Sequence, residues 1–356
     1  MPSKKIAVAL SGGIDSSVAA YLLKKQGHDI IGLTMRLWPY TKGNLGGGSN
    51  WNFPETDYSP AEKVCDWLRI PFHVIDLSTQ FMRYIIQPFC NEYERGCTPN
   101  PCVRCNPIIK FGFLLDEALK SGAAYLATGH YAGIFHNADG YHLIRAEDTR
   151  KDQSYMLYAL DQSQLSHTVF PLNSLTRERV SEIAREAKMP SADRESSQDA
   201  CFVGGDYRKF IEGHVVFKPG PMVNSRGQII GTHRGLPFYT IGQRHGLGIA
   251  LGQPAFVIDL NYAKNQVVVG TAEELNCSEL MVCDLSWISG RVPLETDGIT
   301  AKIRYRSAEV RATIIIEESR ARVILAQSLR AAVPGQSIVF YKGKEILGGG
   351  TIDEKL

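Results

Sequence analysis

The first 130 residues alternate short apolar runs with helical patterns, and this alternation constrains the fold more than any other feature. The run KKIAVAL precedes the helical pattern VAAYLLKKQG, which Gly27 ends. The runs DIIGLTMRLW, PFHVIDL and AAYLATG follow, with helical segments between them. Strands that are separated by helices pair in parallel, and the helices cover both faces of the sheet. We therefore predict an α/β domain with a parallel sheet.

Composition and charge exclude several classes of protein. The 356 residues include 39 basic and 37 acidic side chains, and a net charge of +2 is too small for a histone-like or strongly acidic protein. No apolar run reaches the roughly 20 residues that span a bilayer, and the N-terminus carries no cleavable signal pattern. Eight cysteines are too few for a disulfide scaffold. We expect a cytoplasmic protein with no membrane partner.

The C-terminal half has the composition of a β-rich region. The segment PAFVIDLNYAKNQVVVG predicts a hairpin, and ITAKIRYRS alternates strictly, so one face of that strand is apolar and the other basic. Residues 301–330 hold seven basic and three acidic side chains, which indicates either an RNA-binding face or an ordinary solvated one. With the composition shift, these patterns predict that the C-terminal part of the chain is mainly β.

The segment SGGIDSS, residues 11–17, follows the first predicted strand and opens the first predicted helix. Unpaired backbone N–H groups and the positive end of the helix make this position an anion site. The segment lacks the lysine of a Walker loop and the spacing of a dinucleotide-binding loop. We predict that it binds the phosphates of ATP. Asp15 would repel phosphate, which suggests a Mg²⁺ ion between the carboxylate and the pyrophosphate.

A second candidate site is rich in cysteine. Cys102 and Cys105 form a C-x-x-C motif, and we expect Arg104 and a helix that begins at Pro107 to lower the pKa of both thiols. Structural zinc, dithiol redox and iron–sulfur sites all use C-x-x-C, although structural zinc normally needs a second such pair, which this chain lacks. Cys201 either supplies a third soft ligand or is an incidental loop residue.

Several strings resemble known families. The SGGIDS loop resembles the pyrophosphate-binding loop of the N-type ATP pyrophosphatases (PP-loop enzymes). The strings TPNPCVRCNPIIKF, ATGHY, KDQSYML, SQDACFV, GLPFYTIGQRHGLG and GGGTI resemble, in order, the bacterial tRNA-uridine 2-sulfurtransferases of the MnmA family. The resemblance spans almost the whole chain, and it implies an ATP pyrophosphatase catalytic domain (1–204), a small central domain (205–272) and a C-terminal β-barrel-like domain that contacts tRNA (273–356). It implies ATP-dependent 2-thiolation of the wobble uridine, position 34, in the anticodon stem-loop of tRNA. It further implies ATP and Mg²⁺, and sulfur from a cysteine desulfurase or a sulfur-relay protein.

The same resemblance implies roles for individual residues. Cys105 would be the catalytic nucleophile, and Cys201 would carry a persulfide. The residues that would contact ATP are Ala9, Leu10, Ser11, Gly12, Gly13, Ile14, Asp15, Ser16, Met35 and Gly129. The residues that would contact tRNA are Asn100, Pro101, Cys102, His130, Lys151, Asp152, Gln153, Arg304, Tyr305 and Gln336.

Cys102 departs from the family pattern, because many members carry Asp at this position. A thiol in place of a carboxylate removes a general acid/base and supplies a third soft ligand. Two accounts therefore remain open. One is a persulfide relay between Cys105 and Cys201. The other is a [4Fe–4S] cluster whose ligands are Cys102, Cys105 and Cys201, with Cys102 as a further catalytic residue. In both, ATP adenylates the uridine C2 oxygen, and sulfur then attacks the same carbon.

Two rival functions share parts of this pattern. A small-molecule adenylating ATP pyrophosphatase, of the amidotransferase or ligase type, would use the SGGIDS loop but needs neither C-x-x-C nor a basic β domain. A non-catalytic RNA-binding protein with a structural zinc would explain the cysteines and the basic strand, but it gives the loop no role.

Overall fold

The computed structural model describes residues 4–38, 57–194, 201–203, 207–249, 254–293 and 297–355. Five strands of its N-terminal part pair with one another: β1 (Lys5–Ala9), β2 (Asp29–Arg36), β3 (Phe72–Asp76), β4 (Tyr125–Ala127) and β7 (Thr168–Val169). They form one sheet in the order β3-β2-β1-β4-β7, and every pairing is parallel. The predicted parallel sheet is confirmed.

Helices cover both faces of this sheet. Alternate residues of β1 point to opposite sides, so Ile6 packs with Leu23 of α1 (Ile14–Lys25), whereas Ala7 packs in a second cluster with Phe81. Because both faces are buried at the centre of the sheet, β1 and β2 carry continuous apolar runs there, at residues 6–9 and 30–33, instead of alternating. The other helices of this part are α2 (Ser59–Leu68), α3 (Ser78–Phe81), a π-helical segment (Met82–Ile86), α4 (Gln87–Glu94), a 3-10 segment (Ser154–Leu157), α7 (Gln162–Ser166) and α8 (Arg177–Glu186).

The helix that carries the C-x-x-C motif begins earlier than predicted. α5 (Pro101–Cys105) continues through a π-helical segment (Asn106–Leu114) into α6 (Leu115–Lys120). Asn100 is extended at the N-cap, and Pro101 stands in the first turn, where a missing N–H breaks no helical hydrogen bond. The predicted start at Pro107 is therefore wrong. Cys102 and Cys105 lie three positions apart, which places them as neighbours on one helix face.

The central part is a four-stranded sheet preceded by α9 (Tyr207–Glu212). Its strands are β8 (Gly220–Asn224), β9 (Ile229–His233), β10 (Phe256–Asn261) and β11 (Gln266–Gly270), in the order β10-β11-β8-β9. β10 and β11 are antiparallel neighbours, which confirms the predicted hairpin. Across the described ranges, no helix is both long and apolar enough to cross a bilayer.

The C-terminal part is a closed barrel. Its strands are β12 (Asn276–Trp287), β13 (Thr300–Lys302), β14 (Val310–Glu317), β15 (Arg320–Arg330), β16 (Ser337–Lys342) and β17 (Glu345–Lys355). They follow the order β12-β15-β14-β13-β16-β17, and β12 also pairs with β17. Ile299, Ala301 and Ile303 are buried, as the alternation predicted. The strand stops at Lys302, however, because a turn follows in which the Ser307 N–H donates to the carbonyl of Arg304 at 3.0 Å.

A hairpin from the N-terminal part extends the barrel sheet. β5 (Ala132–Asn137) and β6 (Gly140–Arg145) are antiparallel, and β6 pairs with β17 through Ile144 and Glu345. The Arg145 guanidinium also forms an ion pair with Glu309 of the barrel. The N-terminal part and the barrel are therefore joined by main-chain hydrogen bonds as well as by side chains.

Candidate active site

The loop after β1 has the geometry of an anion-binding turn. Gly12 has φ +74, and a Cβ built there would lie 2.5 Å from the Pro60 Cβ, so only glycine is tolerated. The Ser16 hydroxyl accepts from the Ser11 N–H at 3.3 Å and donates to the Gly13 carbonyl at 3.1 Å. The loop thus turns directly into the N-terminus of α1, whose N–H groups are available to a phosphate.

The ends of two neighbouring strands meet this loop. Gly129 follows β4, and a Cβ there would lie 2.6 Å from the Ser16 backbone nitrogen, so the two backbones are in direct contact. On the other side, the Thr34 hydroxyl of β2 donates to the Leu10 carbonyl at 2.6 Å, and the half-buried Met35 follows it. The structure therefore brings the predicted ATP-contacting residues of three segments to the carboxyl edge of the sheet, where ligands of open α/β sheets bind.

Asp15 is already neutralised by protein groups. Its carboxylate forms an ion pair with Arg177 and accepts a hydrogen bond from the Tyr131 hydroxyl at 2.8 Å. The two partners of the ion pair are mostly shielded, with side-chain exposures of 19% for Arg177 and 28% for Asp15. The sequence argument for Mg²⁺ at Asp15 was repulsion between the carboxylate and phosphate. That argument loses its basis here, because Arg177 supplies the compensating charge.

Three thiols lie in one neighbourhood. Cys105 is buried, whereas Cys102 and Cys201 have solvent-exposed surface. Cys102 raises the pKa of both other thiols, and Cys201 also raises the pKa of Cys105. Burial raises the pKa of Cys105 to about 12 and that of Cys201 to about 11, and it also raises the pKa of Cys102. An exposed thiol that protein atoms still desolvate is typical of a cleft wall. The predicted low thiol pKa is therefore wrong, because desolvation outweighs nearby positive charge.

Comparison with known proteins identifies the family. Three family models match in succession: a tRNA methyl transferase HUP domain at residues 4–205, a tRNA methyl transferase PRC-barrel domain at 208–271 and an aminomethyltransferase beta-barrel domain at 277–352. The tRNA-specific 2-thiouridylase MnmA of Clostridium botulinum (strain Alaska E43 / Type E3) is 42% identical over 99% of both chains. That of Chloroflexus aurantiacus (strain ATCC 29366 / DSM 635 / J-10-fl) is 44% identical over 98% of both. The chain belongs to the tRNA-specific 2-thiouridylase family.

Membership of the 2-thiouridylase family settles the architecture and the nucleotide. The HUP domain, the PRC-barrel and the C-terminal barrel correspond to the parallel sheet, the central sheet and the closed barrel of the fold. An ATP-using domain of this kind implies ATP and Mg²⁺.

An iron–sulfur cluster does not fit the described residues of this 2-thiouridylase. Cys102, Cys105 and Cys201 all belong to that part of the chain, yet it contains no group of three or more His, Cys, Asp or Glu side chains that could hold a metal ion. The cysteines are close to one another but are not arranged as a set of ligands.

Lys110 is a site residue of this 2-thiouridylase that the sequence analysis missed. Its ammonium opposes the rise in pKa of all three thiols, and its Nζ lies 3.4 Å from Nε2 of His130. Burial, reinforced by Lys110, holds the pKa of His130 well below its usual range, so the imidazole is neutral. Because Lys110 can only donate, we assign the His130 proton to Nδ1, which donates to the Thr128 hydroxyl at 2.7 Å. The one sequence signal was a lysine within the apolar string NPIIKFGFL.

The barrel holds the segment that precedes the cysteines. The Gln336 side chain donates to the Thr98 carbonyl at 2.6 Å, and the Thr98 N–H donates to the Pro334 carbonyl at 3.0 Å. Asn100 is anchored by a contact of its Nδ2 with the Met156 sulfur at 3.5 Å. Gln336 therefore holds the segment before the cysteines through the backbone of Thr98, which is a route to the site that does not require contact with tRNA.

The other predicted tRNA contacts differ in how available they are. Asp152 is buried, and its carboxylate accepts from the Ala146 N–H at 3.0 Å and from the Ser154 hydroxyl at 2.8 Å. The Asp152 carboxylate is therefore engaged in hydrogen bonds within the protein, and only neighbouring residues can contact RNA. Lys151 is half-buried, and Gln153 accepts from the Tyr131 N–H at 3.0 Å. The Arg304 side chain is exposed, and the half-buried Tyr305 ring lies 6.0 Å from the ring of Tyr155.

A cleft of about 580 Å³ opens between α5 and the barrel. It is lined by Asn100, Arg104 and Ile108 of the helical segment and by Asp284 and Asp353 of the barrel, but not by Cys102 or Cys105. The cleft therefore borders the helix that carries the C-x-x-C motif without including its two thiols.

Proposed function

We propose that this protein is an ATP-dependent tRNA-uridine 2-sulfurtransferase that converts uridine 34 of tRNA to 2-thiouridine. The observation that carries the proposal is the proximity of an anion loop and three thiols, which Gly129, His130 and Lys110 connect. The full-length relatives named tRNA-specific 2-thiouridylase support the same substrate. Because tRNA and ATP meet in the cytoplasm, the proposal implies a cytoplasmic enzyme.

The first step activates the base. The uridine C2 oxygen attacks the α-phosphorus of ATP held by the loop, the bond to the β-phosphate oxygen breaks, and pyrophosphate leaves. The product carries AMP on the C2 oxygen, which turns a poor leaving group into a good one. Backbone N–H groups at the start of α1 and the hydroxyls of Ser11 and Ser16 orient the phosphates. A Mg²⁺ ion bound with the nucleotide would screen the negative charge of the departing pyrophosphate.

The second step transfers sulfur by a relay between two cysteines. Cys201 carries a persulfide that a cysteine desulfurase or a sulfur-relay protein has delivered to its exposed thiol. The terminal sulfur attacks C2, and AMP leaves. The Cys105 thiolate then attacks the Cys201 Sγ, which breaks the bond to the transferred sulfur. The products are 2-thiouridine and a Cys105–Cys201 disulfide, and an external thiol reductant restores both cysteines.

We favour the relay over the [4Fe–4S] cluster because the described cysteines are not arranged as metal ligands. The relay needs only two of the three thiols. Cys102 therefore becomes a neighbour that contacts the target base, together with Asn100 and Pro101, and it is dispensable for sulfur transfer. The zinc-protein alternative loses support for the same reason. The names of two family models suggest methyl transfer instead. That reaction would give no role to an anion-binding loop that lies beside thiols.

The test combines product analysis with cysteine variants. Anaerobic protein is incubated with unmodified tRNA, ATP–Mg²⁺ and a persulfide donor, and digested RNA is analysed for 2-thiouridine by mass spectrometry. We expect Cys105→Ser and Cys201→Ser to abolish the product while Cys102→Ser retains it. Cys283→Ser, in the barrel, is the control for loss of an unrelated thiol. An essential Cys102 together with bound iron would overturn the relay, and no ATP-dependent product from the wild type would overturn the function.

A further inference from the structure

A second cleft, of about 430 Å³, lies where the central sheet meets the barrel. Three arginines contribute to its lining: Arg208 from α9, Arg304 from the turn after β13, and Arg330 at the end of β15. The remaining lining residues include the polar Thr240 and Gln243, and no Asp or Glu is among the lining residues that the structure describes. Guanidinium groups that converge on one concave surface favour an anion there.

The cleft arginines differ from others on the same barrel. Arg320 pairs with Asp353 at 3.2 Å, and Arg322 pairs with Glu279. Within the described residues, neither Arg304 nor Arg330 forms an ion pair with a carboxylate. The Arg304 guanidinium instead donates to the Arg330 carbonyl at 2.9 Å. Their charges are therefore available to a ligand.

One acidic group lies near the cleft, at its edge. The Glu273 pKa is lowered chiefly by hydrogen bonds to its own backbone N–H and to Thr271, and only weakly by Arg330. Glu273 is exposed and outside the lining, so it does not neutralise the three arginines.

The floor of the cleft is rigid and connects to the reactive site. A Cβ on Gly242 would lie 2.9 Å from the Ala331 Cβ, so the central part and the barrel are in contact there, and Ala331 packs with Leu275. On the side toward the cysteines, the Thr98 hydroxyl donates to the Thr240 hydroxyl at 3.4 Å. Thr98 precedes the base-contacting Asn100 by two residues. A ligand in the cleft is therefore separated from the target base by a short stretch of packed protein.

We propose that this cleft binds a backbone phosphate of the tRNA anticodon loop, close to the flipped uridine. The inference rests on the proposed function for the identity of the RNA, and it adds Arg208 and Arg330 to the residues that hold it. A flipped base leaves its flanking phosphates at the protein surface, and arginines that hold one of them fix the register of the strand. The same phosphate contact involves residues of both the central part and the barrel, so bound RNA links these two parts.

The experiment measures binding of an anticodon stem-loop RNA to the full chain as a function of salt. Arg330→Gln and Arg208→Gln are compared with Arg322→Gln, which lies on the same strand as Arg330 but outside the cleft. Each phosphate contact in a single strand contributes about 0.7 to the slope of log K against log salt. We expect each cleft variant to lose roughly tenfold in affinity and about 0.7 in slope, and Arg330→Lys to keep most of the slope. The Arg322→Gln slope should equal the wild-type slope.

The ligand is identified by changing the RNA. We expect one stem-loop with an uncharged methylphosphonate linkage beside the target uridine to bind wild type and Arg330→Gln equally. ATP affinity should be the same in all variants, which distinguishes an RNA phosphate from a nucleotide phosphate. Unchanged slopes in folded cleft variants, with melting temperatures equal to wild type, would overturn the site even if thiolation occurs. Reduced slopes in a protein that does not thiolate tRNA would support the site and overturn the proposed function.

Discussion

The ion pair between Arg177 and Asp15 makes a quantitative prediction about ATP binding. Arg177→Gln leaves the Asp15 carboxylate without its compensating charge at the start of α1, beside the phosphate loop. For a phosphate charge about 7 Å away, an effective dielectric constant between about 80 and about 20 gives a repulsion of about 0.6 to 2.4 kcal/mol. We therefore expect the Kd for ATP–Mg²⁺ to rise roughly 3- to 60-fold, since about 1.4 kcal/mol corresponds to a factor of ten.

A double-mutant cycle isolates this effect. Asp15→Asn removes the charge that Arg177 compensates, so the Asp15→Asn/Arg177→Gln variant should recover most of the lost affinity. Calorimetric titration with a non-hydrolysable ATP analogue at two salt concentrations measures all four proteins, and the loss in Arg177→Gln should shrink at higher salt. Thermal melting monitors the fold, because breaking a partly buried pair costs about 1 to 3 kcal/mol after allowance for its exposure.

Two results would refute the reasoning. An unchanged Kd for folded Arg177→Gln would show that Asp15 does not act on the phosphates. Equal and severe losses in Asp15→Asn and in the double variant would show that the carboxylate is itself required, as it would be for a Mg²⁺ ligand.

Other measurements test the rest of the site. Lys110→Met should lower the rate of thiolation by about 10² or more with little change in KM for tRNA, and Lys110→Arg should recover part of it; a rate within threefold of wild type would contradict a role for the ammonium. Gly129→Ala should abolish ATP binding because its Cβ would meet the Ser16 backbone. Gly213→Ala is the control for glycine loss, because its Cβ would make only an ordinary contact of 3.8 Å with the Phe210 carbonyl oxygen and its φ is not positive. The rate at which iodoacetamide alkylates Cys201 should keep rising about tenfold per pH unit above pH 9, because its raised pKa leaves few thiolates at lower pH, and a plateau near pH 8.5 would contradict this.

Local sequence pattern predicted the features that depend on neighbouring residues. The local spacing of apolar residues predicted the strands of the parallel sheet. Residues that favour turns predicted the hairpin of β10 and β11 and the glycine loop before α1. The predicted helix start was wrong at Pro107 because two prolines lie close together, at 101 and 107, and either can occupy a first turn. Spacing alone does not decide between them.

The features that sequence did not predict depend on contacts between distant segments. Nothing near Ile144 indicates that its strand pairs with Glu345, more than 200 residues away. Asp15 and Arg177 are 162 residues apart in sequence, and the Mg²⁺ argument was made without that partner. The thiol pKa was predicted from the charge of Arg104, but the Arg104 side chain donates to the Tyr84 carbonyl at 2.7 Å, and burial dominates.

The raised thiol pKa values are consistent with the order of steps in the proposed relay. A persulfide is more acidic than the thiol that carries it, so sulfur delivered to Cys201 is ionised under conditions in which Cys105 remains protonated. The persulfide is then the stronger nucleophile at the start, and it attacks the activated base first. Cys105 attacks Cys201 only after its own thiol proton has left. The nearby ammonium of Lys110 favours this proton loss, and its effect is stronger where bound RNA excludes water. In the proposed relay, burial of Cys105 therefore favours transfer of sulfur to carbon before the disulfide forms.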